Sequence, residues 1–231
     1  MSRIYSYVLR YDDGAAPNPF WGVCTLTICK PAIRRTAAVR DWVIGTGSVN
    51  ATCNDGQRHD LSGSLAYAMK VTQILTMEEY NHYCQKELPA KVPDIGHSDW
   101  TKRMGDCIYD YSAGGAPTIR PGVHNEGNRE RDLSGQRALL STHFYYFGEE
   151  AVPIPTYLFP LIKKSQGHRK IEDPRLVEAF ERWMEPFPLN VVAGEPQLKH
   201  AFDGPPAESR MAACADCHLE EDIQEGEETD G

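Results

Sequence analysis

The strongest constraint on the fold is the way proline and glycine cut the first fifty residues into short strand-like runs. The segment from Ile4 to Tyr11 alternates side chains and is rich in aromatic and β-branched residues, which indicates a strand. Pro17 and Pro19 then exclude a central strand, because each proline lacks the N–H that a sheet needs. Strand chemistry returns at 21–29 and 41–46. The N-terminal part is therefore predicted to consist of short strands joined by ordered turns.

Later segments predict further strands and a capped helix. Residues 65–72 and 138–147 are apolar and aromatic enough to form buried strands, and residues 50–63 form a polar loop. Thr76 and Glu79 have the spacing of a capping box, which predicts a helix starting at Thr76 and ending near residue 87.

A second helix is predicted to open at Asp173 and Pro174, with the aspartate as N-cap and the proline at the first helical position. Five or six strands with two or three helices indicate an α+β fold. The most economical arrangement is a small mixed or antiparallel β-barrel with flanking helices.

Charge divides the chain into two unequal parts. The formal net charge is −9, and residues 201–231 alone hold ten Asp or Glu against the single basic Arg210. The first 200 residues are therefore neutral, and residues 1–40 carry six basic groups against two acidic ones. We expect a folded domain over 1–200 and a disordered acidic tail over 201–231. A phosphate or nucleic-acid partner is compatible with this distribution.

Several classes of protein are disfavoured. No apolar stretch approaches the roughly 20 residues that span a bilayer, and seven scattered cysteines fit a reducing interior, so no membrane contact and a cytoplasmic location are predicted. Cys214, Cys217 and His218 have the spacing of a c-type haem attachment site. Because this motif lies in the acidic tail, we interpret it as incidental and predict neither a cofactor nor a metal site.

Three segments of the N-terminal half carry a resemblance to a known family. They read YDDGAAPNPFWG (11–22), CTLTICKP (24–31) and DWVIGTGS (41–48). The chain resembles the second family of nucleotide modification associated domains over roughly its first 150 residues. Such domains are named for their association with DNA or nucleotide modification systems of phages and bacteria. The resemblance implies recognition or processing of a nucleotide or of a modified DNA base.

A further resemblance concerns the fold. A Trp-containing strand after Asp41, a Gly-Thr-Gly-Ser turn at 45–48, a strand at 65–72 and a helix at Thr76 are similar in order to the PUA-like barrels. Several of those barrels hold a modified base stacked on aromatic side chains. The likeness implies a PUA-like barrel with a base as ligand.

The N-terminal block contains the side chains that nucleotide binding requires, namely aromatic faces, edge-reading polar groups and cations. The candidate ligand-binding residues are Trp21, Trp42 and Tyr109 for stacking, Asn18, Thr25, Thr46 and Ser48 for reading edges, and Lys30 and Arg34 for phosphate. Two alternatives remain open: the aromatic residues belong to the core, and Arg34 lies on a solvated connection between strands.

An enzyme that modifies or hydrolyses a nucleotide is the competing hypothesis. The catalytic candidates are Asp12, Cys24 and His124; Cys29 is an alternative nucleophile, and each cysteine is otherwise a small core residue. A third hypothesis is a protein-interaction module that uses the acidic tail. The sequence shows no recognisable arrangement of an acid, a base and a nucleophile. We therefore prefer recognition of a ligand to catalysis as the function.

Overall fold

The computed structural model describes residues 2–164 and 167–198. The acidic tail, with Cys214, Cys217 and His218, lies outside the described residues. The strands, in chain order, are β1 Ile4–Leu9, β2 Cys24–Leu26, β3 Trp42–Gly47, β4 Ala51–Thr52, β5 Arg58–His59, β6 Ser64–Lys70, β7 Gln73–Thr76, β8 Tyr109–Asp110, β9 Thr118–Ile119, β10 Arg137–Ser141, β11 Phe144–Tyr146, β12 Val152–Pro153, β13 His168–Ile171 and β14 Val191–Val192. The helices are α1 Pro31–Thr36, α2 Met77–Glu87, α3 Trp100–Arg103, α4 Arg129–Ser134 and α5 Pro174–Met184.

A large mixed sheet forms the centre of the fold. Its strand order is β13-β1-β3-β6-β11-β14, and β12 pairs with β6. β1 and β3 run parallel, so their carboxyl ends meet at the same edge, where Leu9 pairs with Gly47. A second sheet of three antiparallel strands has the order β2-β10-β7.

Side chains point alternately to the two faces of the large sheet. Each face is covered by a hydrophobic core of its own. Tyr5, Tyr7 and Leu9 of β1 point into a core that also contains Leu26 of the second sheet. Ile4 belongs to the opposite core, which consists of Trp42, Ile44, Leu158, Phe180 and other side chains from α5 and the 3-10 helix Thr156–Leu161.

The α+β class is confirmed, but the described strands do not close into a barrel. The reason lies in the run 138–147, which forms two strands that join different sheets. Leu139 of β10 pairs with Leu26, whereas Phe144 of β11 pairs with Met69. The chain therefore turns from one layer into the other between β10 and β11, and the described strands form open sheets instead of a closed barrel.

The two predicted helix starts are confirmed. Thr76 caps α2 with a reciprocal capping box to Glu79, and the Asp173 side chain accepts a hydrogen bond from Arg175 N at the start of α5. The sequence did not predict the helix α1. It holds Arg34, for which phosphate binding and a solvated connection between strands were both left open, and the Arg34 side chain is buried there. Among the described residues, no helix combines the length and apolarity that a membrane crossing requires.

Candidate functional site

The structure distributes the predicted site residues over several places instead of one cavity. Asn18, Thr25, Lys30, Arg34, Trp42, Thr46 and Tyr109 are all buried, whereas Trp21 and Ser48 are partly exposed. Four of the nine, Asn18, Thr25, Arg34 and Tyr109, take part in two buried polar clusters. A third region, at the surface, contains Ser48.

The first buried cluster, the Lys91–Asp106 network, contains Asn18, Thr25, Thr27, Tyr80, Lys91 and Asp106. Lys91 Nζ donates hydrogen bonds to Asn18 Oδ1 at 2.7 Å, to Asn18 O at 2.9 Å and to Thr25 Oγ1 at 2.8 Å. Asn18 in turn donates to the carbonyl of Met104 at 2.7 Å. The polar atoms of Asn18 and Thr25, which were predicted to read the edge of a base, are therefore engaged in hydrogen bonds inside the protein.

Asp106 is the acidic centre of the same network. Its Oδ1 accepts from Tyr80 OH at 2.6 Å, and its Oδ2 accepts from Thr25 Oγ1 at 2.6 Å and Thr27 Oγ1 at 3.0 Å. Burial lowers the pKa of Lys91, and the negative charge of Asp106 acts in the opposite direction. The network thus holds a buried cation and a buried carboxylate, bridged by Thr25, in a region where both depend on hydrogen bonds.

The second cluster, the Cys29–His124–Asp132 triad, joins residues that are far apart in the sequence. His124 Nε2 lies 3.5 Å from Cys29 Sγ, and His124 Nδ1 lies 2.6 Å from Asp132 Oδ2. Tyr109 OH donates to the same carboxylate oxygen at 2.8 Å. A thiol, an imidazole and an orienting carboxylate in this order are the parts of a nucleophilic site.

Asp132 and Arg34 also fix the backbone around the thiol. Asp132 Oδ1 accepts from the backbone N–H of Cys29 at 2.9 Å. The Arg34 guanidinium donates to the carbonyls of Thr27 and Asp132, so the cation predicted to hold phosphate ties α1 to α4. Cys29 and Lys30 both adopt positive φ, at 57° and 42°, a conformation that is costly for side chains other than glycine.

The charges of the triad reinforce one another. Burial acts to lower the pKa of His124, but the Asp132 carboxylate and the Cys29 sulfur raise it to about 10. Burial acts to raise the pKa of Asp132, and the neighbouring His124 and Arg34 bring it below its ordinary value. The imidazole therefore holds its second proton at neutral pH, with Asp132 as counter-ion.

The other two catalytic candidates lie outside this triad. Asp12 Oδ1 accepts from Tyr146 OH at 2.6 Å, and burial raises the pKa of Asp12 to about 7. Cys24 Sγ lies 4.0 Å from Met69 Sδ, and burial raises the pKa of its thiol to about 12. His124 is thus the member of the predicted set that the structure brings to a thiol.

The predicted aromatic residues have different surroundings. Trp42 lies in the core on the opposite face of the large sheet, where its Nε1 donates to Glu181 Oε1 at 2.9 Å. Trp21 is partly exposed and lies beneath the ammonium groups of Lys91 and Lys102, at 5.5 and 5.9 Å from the ring centroid. The Lys30 ammonium lies 4.6 Å from the centre of the Tyr7 ring.

A large open groove lies on the surface at the carboxyl ends of β1 and β3. This basic groove has a volume of about 1570 Å³ and includes Ser48. Its positively charged lining residues are Arg10, Lys163, Lys164, Arg169 and Lys170, together with the titratable His168. No Asp or Glu is among the lining residues that the structure describes. Phe159, whose side chain is 49% exposed, supplies an aromatic face.

Sequence reasoning missed Asp132, Lys91 and most of the groove. The spacing around Asp132 gives no signal, because the residue lies 103 positions after Cys29 and meets it only in the folded chain. The groove had a visible signal in the four Lys or Arg residues between 163 and 170. This run lies outside the N-terminal block that holds the predicted ligand-binding residues.

Comparison with known proteins gives one family. The family model described as nucleotide modification associated domain 2 matches residues 1–203. No curated protein and no solved structure matches the chain.

Proposed function

The chain belongs to the nucleotide modification associated domain 2 family, and we propose that it binds a single-stranded segment of DNA in the basic groove. The observation that carries this proposal is the lining of the groove, which gathers five Lys or Arg side chains around one cavity and contains no described acidic residue. Since the first 200 residues are neutral overall, this concentration of one sign is local and not a property of the whole surface.

The position of the groove supports ligand binding. Arg10 and Ser48 directly follow the parallel strands β1 and β3, and ligands of open sheets commonly bind outside the carboxyl ends of parallel strands. Lys164 and Arg169 extend the positive surface along the same groove, and both are exposed. Such a row of cations fits the repeated phosphates of a nucleic acid backbone.

Size and aromatic exposure favour a strand over a single nucleotide. A volume of about 1570 Å³ exceeds the roughly 300–1000 Å³ of sites for small ligands. Phe159 presents an exposed ring, and proteins that bind single strands combine such rings with a positively charged groove. Ser48 and Ser62 line the same cavity; the Ser62 hydroxyl donates to Asp60 Oδ1 at 2.6 Å, and the Ser48 hydroxyl keeps its proton for a polar edge of a base.

The test is a titration of a fluorescent 20-nucleotide deoxythymidine strand, followed by anisotropy between about 50 and 200 mM salt. Lys164→Gln with Arg169→Gln removes two groove cations. We expect the slope of log affinity against log salt to become shallower by about 1.4, because each phosphate contact on a single strand contributes about 0.7. The matched control is Lys86→Gln with Arg182→Gln, which removes two exposed charges outside the groove.

Equal slopes for the two double variants would contradict the proposal, as would the absence of binding by the unmodified protein at 50 mM salt. Competition with deoxythymidine monophosphate separates the two ligand sizes. Displacement of the strand at micromolar monophosphate would show that the site selects a free nucleotide and not a strand.

A further inference from the structure

The Cys29–His124–Asp132 triad has features that packing alone does not require. Of the five described cysteines, all free and buried, Cys29 has an imidazole nitrogen at 3.5 Å from its sulfur. Cys24, by contrast, has a methionine sulfur as its neighbour. A buried cysteine that serves only as a small apolar side chain needs no imidazole and carboxylate behind it.

The hydrogen bonds around Asp132 orient the imidazole. Its Oδ2 binds His124 Nδ1 and also accepts from Tyr109 OH, so the ring is held with Nε2 towards Cys29. Its Oδ1 binds the backbone N–H of Cys29. The same carboxylate thus positions both the base and the residue that carries the thiol, which is the role of the third member in nucleophile–base–acid sites.

The backbone around the thiol is a second, independent observation. Cys29 and Lys30 adopt the left-handed region in succession between β2 and α1. For residues other than glycine this conformation costs about 1–3 kcal/mol each and is enriched at active sites. The bonds from Cys29 N–H and from Arg34 to Asp132 fix this turn.

The side chains of the triad are buried, and an exposed segment of the chain follows His124 directly. Cys29 and His124 are each 2% exposed, and the residues that follow His124, Asn125–Gly127, are exposed. The imidazole is therefore one residue away from solvent along the chain. The basic groove contains none of the triad residues.

We propose that Cys29 is the nucleophile of an acyl-transfer site that cleaves esters or amides, with His124 as acid and base and Asp132 as positioning residue. Cys29 Sγ gives its proton to His124 Nε2 and attacks the carbonyl carbon as a thiolate; a C–S bond forms, and the C–O or C–N bond breaks. The leaving group departs with the electron pair and takes a proton from His124 Nε2. Water then gives a proton to His124 and attacks the thioester, and the C–S bond breaks to restore the sulfur and release the acid.

The test uses p-nitrophenyl acetate as probe with the full chain. We expect rapid release of about one p-nitrophenolate per chain, and an acetyl group on the Cys29 peptide in the mass spectrum. His124→Gln should slow the acetylation at least about 100-fold, the lower end of the contribution of a general acid or base. Cys53→Ser and His82→Gln are matched controls, since neither residue belongs to the triad, and both should retain the wild-type rate.

A second measurement covers the case in which His124→Gln fails to fold. In the folded wild-type protein, iodoacetamide at pH 7 should alkylate Cys29 before Cys24, as read from the modified peptides. Alkylation of both cysteines only under unfolding conditions would overturn the proposal. Acetylation of lysines without acetyl-Cys29, or an equal rate in a folded His124→Gln protein, would also overturn it. Failure of the groove to bind DNA would leave these results unaffected, because no triad residue lines the groove.

Discussion

The two buried polar clusters and the basic groove use polar residues in opposite ways. In the clusters, Lys91 and Arg34 are fully buried, and their hydrogen bonds end on groups of the same chain. In the groove, Lys164 and Arg169 are exposed to solvent around an open cavity. The polar, motif-rich N-terminal part of the chain thus contributes mainly to the interior. The charges that an outside ligand can reach come from a less distinctive segment near Lys164 and Arg169.

The largest effect is expected for the buried network. Asp106→Ala should lower the free energy of unfolding by about 3–5 kcal/mol, because it leaves the Lys91 cation buried without its carboxylate. Urea denaturation measures this change. Glu178→Ala, at an exposed ion pair on α5, is the control and should change stability by less than about 0.5 kcal/mol. A loss below about 1 kcal/mol for Asp106→Ala would remove the distinction between the two regions.

A pH-dependent effect of slightly smaller size is expected at Asp12. Its pKa is raised to about 7 in the folded chain, chiefly by burial, whereas an unfolded aspartate titrates near 4. Between pH 4 and pH 7 the folded state therefore binds more protons than the unfolded state. As a result, the free energy of unfolding falls as pH rises from about 4 to about 7 and stays constant above pH 7. Each pKa unit corresponds to about 1.4 kcal/mol, so the difference between about 4 and about 7 amounts to about 4 kcal/mol.

Asp12→Asn removes this titration and keeps an oxygen that accepts from Tyr146 OH. The variant should match the wild type near pH 4 and exceed its stability at pH 8, as measured by urea denaturation at both values. A stability difference that does not change with pH would show that the Asp12 carboxyl does not titrate in this range.

The smallest effect of the three concerns the groove. Phe159→Ala should weaken binding of the deoxythymidine strand by about 1–3 kcal/mol, because the exposed ring offers a stacking face. Tyr157→Ala is the matched control, since Tyr157 is an exposed aromatic residue of the same 3-10 helix and does not line the groove. If both variants bind equally well, the Phe159 ring has no part in binding.

Local patterns predicted local structure, and the rest depended on contacts between distant segments. The capping box at Thr76 and the Asp173-Pro174 helix start are formed by neighbouring residues and were readable in the sequence. The separation of the 138–147 run into two sheets depends on partners at Leu26 and Met69, and no local pattern contains that information.

The same limit applies to the candidate sites. The sequence suggested His124 and raised Cys29 as an alternative nucleophile, but Asp132 joins them only through folding. Arg10 and Arg169 reach one groove because β13, which carries Arg169, pairs with β1. Residue types were therefore informative about chemistry, whereas their grouping into sites required the tertiary structure.

The most direct test of the central claim is to locate bound DNA on the protein. Ultraviolet cross-linking of the deoxythymidine strand to the full chain, followed by proteolysis and mass spectrometry, identifies the contacting peptides. We expect cross-links at Phe159 and at the lining residues of 163–164 and 167–170. Cross-links confined to the partly exposed Trp21, with none on the groove peptides, would contradict it.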